Sequence, residues 1–274
     1  MSDHSPTYQP PPDEGLDIRY IDDDLLVVDK PAGLLSVPGR GPGKQDCLSA
    51  RVQARYPEAL PVHRLDLGTS GLLVLARSPD MLRALSRLFE TRRVEKRYVA
   101  LVAGCMAAGE RVIELPLIAD WPNRPRQMVD YAIGKPSRTR LRVAGYEPAL
   151  DATRVDLFPE TGRSHQLRVH LQAIGHPILG DELYAPPEVF ARAPRLFLHA
   201  AFLGFINPST ATELRVDSGD LAAVVGNEKT GAGDLVVLEE EHGDLRRQFQ
   251  GEEVHRLLYR QFAEVRFSRC GSFR

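Results

Sequence analysis

The chain is poor in cysteine and has no long hydrophobic run. Its 274 residues include three cysteines, which are too far apart to form a C-x-x-C metal motif. We expect free thiols rather than a disulfide framework, as is usual in a reducing compartment. No apolar stretch approaches the roughly 20 residues that cross a bilayer, and Met1–His4 lacks the start of a signal peptide. We therefore expect a cytoplasmic protein without a membrane segment.

The sequence also lacks the glycine-rich motifs that hold nucleotide phosphates, because neither G-x-G-x-x-G nor a P-loop occurs. A metal site is not indicated either. His165 and His170 are five positions apart, which on a helix separates their directions by about 140°. No nearby cysteine or glutamate completes a ligand set. We expect neither a cofactor nor a bound metal.

The net charge of −2 is low for a protein that binds nucleic acid, but the charges are unevenly distributed. Residues 1–24 carry seven acids and one base, and residues 207–274 carry 12 acids and nine bases. Residues 25–206 carry 25 bases and 18 acids, so this middle region is +7. A basic region suits the binding of phosphate groups, although a solvated, arginine-rich surface would give the same count.

The hydrophobic pattern predicts many strands and a few helices. This mixture indicates an α+β fold with a mixed, largely antiparallel sheet and flanking helices. The helices are predicted at residues 48–56, after the capping sequence Ser78-Pro79-Asp80, and after a cap within residues 161–164. The predicted strands are residues 16–20, 25–30, 72–76, 97–103, 111–115, 139–143 and 153–158.

The pattern divides the chain into three parts. Residues 1–15 are rich in proline and are predicted to be disordered. Residues 16–209 form the main domain. Residues 210–274 form an extension in which Glu213–Val216 closes the sheet, followed by an acidic tail of unknown role.

The most informative segment is His63–Gly71, with the sequence H-R-L-D-L-G-T-S-G. It places the carboxylate of Asp66 two residues after Arg64 and just before the apolar run Leu72–Ala76, a predicted buried strand. Because an unpaired buried carboxylate is costly, Asp66 needs a role. It could form an ion pair that supports the fold, or it could act on a sugar carbon, as carboxylates do in glycosidases.

H-R-L-D-x-x-T-S-G resembles the signature of the RluA-type pseudouridine synthases. Further segments resemble blocks of the same family, in the family's order, between about residue 16 and residue 209. Separated blocks in the right order are far more specific than any one of them. These blocks are residues 33–40, 96–98, 120–125, 161–170 and 195–200.

The resemblance implies that residues 16–209 are a pseudouridine synthase catalytic domain. Such a domain isomerises uridines in RNA to pseudouridine without a cofactor, after flipping the target base out of its stack. The blocks at residues 33–40 and 120–125 are most similar to a member that modifies the tRNA anticodon stem-loop and 23S rRNA. The tRNA, the 23S rRNA or both are therefore implied partners, and we expect a monomer.

The resemblance also implies roles for five residues. Asp66 is the catalytic residue, and Arg168 pairs with it, which would keep the carboxylate ionised and oriented. Tyr98 stacks on the uracil and is a candidate for removing the C5 proton. Arg64 contacts RNA near the space left by the flipped base, and Leu198 packs against the target base. Judged without the resemblance, Arg168 could be a solvent-exposed arginine on a helix, and Tyr98 and Leu198 could be core residues.

Two other functions fit parts of this pattern. One is an RNA-binding protein that kept the fold without the activity, although the intact family blocks argue against it. The other is a carboxylate-dependent nucleoside or glycoside hydrolase, which should have a second acid near Asp66 and release free uracil.

Overall fold

The computed structural model describes residues 8–219 and the backbone of Val236–Val237. Most of the predicted acidic tail lies outside the described residues. The strands are β1 (Asp17–Ile21), β2 (Leu25–Lys30), β3 (Leu60–Pro61), β4 (Ser70–Ala76), β5 (Glu95–Ala103), β6 (Glu110–Glu114), β7 (Leu117–Ala119), β8 (Gln127–Val129), β9 (Arg138–Glu147), β10 (Ala152–Pro159), β11 (Leu198–Ile206), β12 (Glu213–Asp217) and β13 (Val236–Val237). The helices are α1 (Leu48–Gln53), α2 (Pro79–Glu90), α3 (Gln166–Ala173) and α4 (Pro187–Phe190).

One large sheet carries most of these strands, in the order β1-β2-β4-β11-β5-β10-β9-β6. β3 pairs with β4, and β12 pairs with β11. Every pair is antiparallel except β4 with β11, which run parallel. β7 and β8 form a separate antiparallel pair. The predicted α+β fold with a mixed, largely antiparallel sheet is thus confirmed, and Glu213–Asp217 extends the sheet through β12.

β4 is the central strand next to the H-R-L-D segment, and all of its residues are buried. One face packs with the apolar side of α2, and the other packs with residues of α1. The continuous apolar run Leu72–Ala76 is tolerated here because both faces of the strand are covered. The segment before β4 is therefore anchored to a fully buried strand.

The predicted start of α2 is confirmed. The Ser78 hydroxyl accepts a hydrogen bond from the Met81 amide at 3.1 Å, and Pro79 opens the helix. The predicted cap of α3 within residues 161–164 is wrong. α3 instead begins after His165, which is left-handed at φ 53° and provides no side-chain cap. The Gln166 side chain bonds the preceding loop, accepting from the Arg163 amide at 3.0 Å.

The N-terminal prediction of disorder covers residues 1–15, of which 1–7 lie outside the described residues. Residues 8–15 form neither helix nor strand, but they contact the folded domain. The Tyr8 hydroxyl donates to the Asp46 carbonyl and accepts from the Leu35 amide, both at 3.0 Å. Arg51 donates to the Pro11 carbonyl at 2.7 Å. This stretch therefore differs from a freely disordered one.

The described residues contain no helix long and apolar enough to cross a membrane. Within them Cys47 is a buried free thiol, as expected, whereas Cys105 is not a free thiol, contrary to expectation.

Candidate active site

An open cleft of about 130 Å³ lies at the end of the sheet where β4 and β11 begin. The walls of the cleft come from neighbouring strands of the sheet. Ala200 of β11 pairs with Gly71 of β4 on one side and with Tyr98 of β5 on the other. All of the residues assigned to the site by their sequence blocks line it, namely Arg64, Asp66, Tyr98, Arg168 and Leu198.

Asp66 lies in the turn that enters β4, with 29% of its side chain exposed. The Thr69 amide donates to the Asp66 carbonyl at 3.1 Å and closes the turn. The preceding residue is held by Ser36, whose hydroxyl donates to the Leu65 carbonyl at 2.8 Å and accepts from the Leu65 amide at 3.0 Å. The carboxylate therefore sits on a backbone fixed by bonds to another loop.

Lys30 is a second anchor of this turn, and the sequence analysis did not identify it. Its side chain is completely buried at the end of β2. The ammonium group donates to the carbonyls of Leu34 at 2.7 Å, Pro31 at 2.9 Å and Leu67 at 3.2 Å. Burial lowers the pKa of Lys30 to about 7, whereas the charge of Asp66 opposes that change. Three carbonyl acceptors match the three donors of an ammonium, so the geometry fits the charged form.

Arg168 contacts Asp66, but its main partner is another acid. Its terminal nitrogen lies 3.7 Å from the Asp66 carboxylate. The same guanidinium makes a bidentate pair with Asp181, with bonds of 2.8 and 2.6 Å. Asp181 is fully buried and also accepts from the amides of Leu183 and Tyr184. The expected pairing of Arg168 with Asp66 is present as a longer contact, and Asp181 holds the guanidinium in place.

His165 is a further neighbour of Asp66, with its Nε2 atom 3.9 Å from the carboxylate. Its Nδ1 atom lies 2.7 Å from the Tyr184 hydroxyl, which accepts from the Gln127 amide at 2.8 Å. The hydroxyl proton of buried Tyr184 needs an acceptor, and Nδ1 provides it. Burial lowers the pKa of His165, so the neutral ring carries its proton on Nε2, facing Asp66.

Tyr98 and Leu198 form the apolar walls of the cleft. Leu198 lines the cleft, is nearly fully buried and also belongs to the hydrophobic core. Burial raises the pKa of Tyr98, and the charge of Asp66 raises it further. A phenol in this state stays neutral at physiological pH, which suits stacking better than proton removal.

The mouth of the cleft carries positive charge. Arg64 and Arg163 are exposed, and Lys96 of β5, which also lines the cleft, is half-buried. Burial lowers the pKa of Lys96 from its ordinary value. Among the described residues no group of histidine, cysteine or acidic side chains could hold a metal ion.

Asp181, Tyr184 and Lys30 carry weak sequence signals. Asp181 follows a glycine in the segment G-D-E-L-Y, and Lys30 is the second of two charged residues that end an apolar strand before a proline. Neither pattern predicts which residues these side chains bind, because the bound groups lie in other segments of the chain.

Comparisons with known proteins identify the family of the chain. Residues 24–173 match the family model described as RNA pseudouridylate synthase. The dual-specificity RNA pseudouridine synthase RluA of Escherichia coli K12 is 52% identical over 202 residues, which cover 74% of this chain and 92% of that protein. The protein of the same name from Vibrio vulnificus is 50% identical over 206 residues, covering 74% and 82% of the two chains.

Two solved structures are similar over most of the chain. Human RNA pseudouridylate synthase domain containing 1 has a TM-score of 0.66 and 29% identity, covering 85% of this chain and 94% of its own. Human RNA pseudouridylate synthase domain containing 4 has a TM-score of 0.58 and 27% identity, covering 73% and 87%. The chain described here therefore belongs to the RNA pseudouridylate synthase family and is an enzyme of the isomerase class.

Proposed function

We propose that this enzyme converts specific uridines to pseudouridine in the tRNA anticodon stem-loop and in 23S rRNA, with Asp66 as its catalytic carboxylate. The observation that carries the proposal is the convergence of Asp66, Arg168 and Tyr98, from three separate elements, on one cleft. The dual specificity in the names of the RluA relatives supports two classes of RNA substrate. We expect a monomer that acts in the cytoplasm.

The reaction breaks the bond from C1′ of the ribose to N1 of uracil and forms a bond from C1′ to C5. The C5 proton is lost and N1 gains a proton, so uridine and pseudouridine have the same composition. Asp66 attacks or stabilises C1′ while the base is detached. Arg168 lies 3.7 Å from this carboxylate and orients it, and Asp181 fixes the direction of the guanidinium.

The apolar walls hold the detached base. Tyr98 stacks on the uracil ring and Leu198 packs against it, which keeps the base in the cleft while it turns. Arg64, which lines the cleft, contacts the RNA near the space that the flipped base leaves. The raised pKa of Tyr98 makes another group the better proton acceptor for C5.

A hydrolase is disfavoured by the acids of the cleft. Among the described residues Asp66 is the single carboxylate that lines it. Asp181 is completely buried and neutralised by Arg168, so it is not placed to protonate a leaving group in solvent contact. The second acid that a glycosidase mechanism uses is therefore missing from the described walls.

The decisive experiment compares the parent enzyme with Asp66→Asn on an anticodon stem-loop and on a 23S rRNA fragment. Asp66→Asn keeps the shape of the side chain and removes its charge, so pseudouridine formation should fall by about 10³-fold or more while folding and RNA binding persist. Asp80→Asn, at an exposed acid on α2, is the control and should retain full activity. Pseudouridine formed by Asp66→Asn at the parent rate would disprove the mechanism, and release of free uracil by the parent would favour the hydrolase.

A further inference from the structure

Residues 117–135, called the arm here, stand apart from the main sheet. The arm contains the two-stranded sheet of β7 and β8. It also holds four of the nine large hydrophobic side chains that are exposed in the described residues. Exposed apolar residues concentrated in one segment of a soluble protein usually mark an interaction site. These residues are Trp121 (63% exposed), Met128 (42%), Tyr131 (79%) and Ile133 (71%).

The tip of the arm is a folded turn. The Asp120 amide donates to the Arg126 carbonyl at 3.0 Å, and the Asn123 side chain donates to both oxygens of the Asp120 carboxylate at 2.9 and 3.1 Å. The guanidinium carbon of Arg124 lies over the Trp121 ring, 4.2 Å from its centroid. An indole with a cation on one face and 63% exposure leaves its other face open to solvent. The turn thus presents a flat aromatic surface that needs little ordering on binding.

The arm is attached to the cleft through Tyr184. The Gln127 amide at the start of β8 donates to the Tyr184 hydroxyl, which bonds His165 in the cleft wall. The guanidinium carbon of Arg126 lies 5.5 Å from the centroid of the Tyr184 ring. Arg163, at the mouth of the cleft, donates to the Pro136 carbonyl at 3.3 Å, next to the end of the arm. The arm is therefore attached to the wall of the cleft, and its end lies next to Arg163 of the positive mouth.

We propose that Trp121 and Arg124 form a stacking platform for an unpaired nucleotide that flanks the target uridine in the RNA. The proposal rests on the function proposed above and assigns a second contact to the same substrate. Aromatic side chains combined with arginine are the usual surface on which proteins stack single-stranded bases. Flipping the target uridine leaves its neighbours without a stacking partner, and the positive charges of Arg124 and Arg126 complement their phosphates.

The unaltered enzyme can test this directly, because Trp121 is the single tryptophan of the whole chain. Intrinsic tryptophan fluorescence therefore reports on the arm alone. Titration with an anticodon stem-loop RNA should quench this fluorescence, with a midpoint equal to the Kd measured by filter binding. High salt should shift both midpoints together.

Substitutions give the matching energetic test. Trp121→Ala should weaken RNA binding about tenfold, and Trp121→Phe should retain most of the affinity because it keeps an aromatic face. Phe190→Ala removes an equally apolar side chain, 46% exposed on α4 outside the arm, and should leave RNA affinity unchanged. Circular dichroism and thermal unfolding identify any variant that fails to fold.

The outcomes separate this proposal from the proposed function. If the parent modifies the RNA while its fluorescence is unchanged and Trp121→Ala binds like the parent, the stacking platform is wrong and the proposed function stands. If no RNA is bound or modified, the proposed function is wrong and the platform with it. If sedimentation shows a dimer that Trp121→Ala dissociates, the arm is a contact between copies of the chain, which also overturns the proposal.

Discussion

Asp66 faces Arg168 and His165, and each of these side chains is held by a residue that does not line the cleft. Arg168 is fixed by the buried carboxylate of Asp181, and the ring of His165 is fixed by the hydroxyl of Tyr184. The surroundings of this one partly exposed carboxylate therefore depend on side chains that do not line the cleft. His165 also has a left-handed backbone, with φ 53°, which is uncommon for a residue other than glycine and frequent at functional sites.

At the residue scale we predict that His165 acts through its Nε2–H. His165→Asn tolerates the left-handed backbone and can still accept a bond from Tyr184, but its amide cannot reach Asp66. The single-turnover rate should therefore fall by up to about 100-fold. His165→Gln extends about as far as Nε2 and should recover part of the rate. Rapid-quench measurement of pseudouridine formation with saturating enzyme checks this.

Comparing His165→Asn with His165→Gln distinguishes the loss of the Nε2–H donor from a change in backbone conformation. Equal losses in the asparagine and glutamine variants would show that the imidazole packing matters and the donor does not. Because burial lowers the pKa of His165 below its ordinary value, the parent rate should not change with pH near neutrality on account of this group. The charges that face the ring are Asp66, Arg168, Asp181 and Arg64.

At the element scale the cleft depends on the parallel pairing of β4 with β11. Gly71 has φ 112°, and a Cβ atom there would lie 2.3 Å from the carbonyl oxygen of Ala200 and 2.5 Å from its nitrogen. The glycine of the H-R-L-D-L-G-T-S-G segment thus allows the two backbones to approach. Any side chain would force apart the strands that position Asp66 and Leu198.

We predict that Gly71→Ala lowers the free energy of unfolding by about 3 kcal/mol or more, because it combines an unfavourable φ with a backbone clash. Gly104→Ala is the matched control. It also has a positive φ, 77°, but nothing lies within 4 Å of the added Cβ, so it should cost only about 1 to 2 kcal/mol. Urea unfolding measures both, and equal losses would mean that the clash relaxes freely.

At the scale of the whole molecule, buried neutral histidines should make the fold sensitive to acid. His170 is completely buried, between the hydroxyls of Ser137 at 2.8 Å and Thr139 at 3.0 Å. Burial lowers its pKa to about 4. The unfolded chain therefore binds a proton at higher pH than the folded protein does, and stability rises with pH between about 4 and 6.5.

We predict that acidification from pH 7 to pH 5 removes about 2 kcal/mol of stability through His170 alone. His170→Gln keeps hydrogen-bonding groups but does not titrate, so its stability should change less over the same range. Urea unfolding of both proteins at the two pH values measures the difference. Identical pH dependence would show that other groups carry the acid sensitivity.

We also predict that the acidic tail beyond residue 220 is not needed for catalysis. This tail lies almost entirely outside the described residues. A chain truncated after Asp220 keeps Ser218, whose hydroxyl lies 2.7 Å from Nε2 of the buried His199. It should remain folded and catalytically active, with RNA affinity unchanged or slightly tighter since net negative charge is removed. Single-turnover rates and binding at two salt concentrations check this. A folded truncation that binds RNA far more weakly would place the tail in the RNA site.

The sequence by itself determined the parts that local pattern controls. Apolar runs and alternation located most strands, and Ser78 with Pro79 located the start of α2, because caps and periodicity act over a few residues. The residue blocks also indicated five members of the cleft, since each block keeps its motif within a short stretch.

Only the tertiary structure decided which side chains meet. Arg168 is bound by Asp181, Asp66 is approached by His165, and Lys30 caps the turn around Leu67. The parallel pairing of β4 with β11 joins residues 129 positions apart, as in the bond between Ser70 and His199. Such partners are selected by burial, because a buried charge or hydroxyl must find whichever complementary group the folded chain brings near.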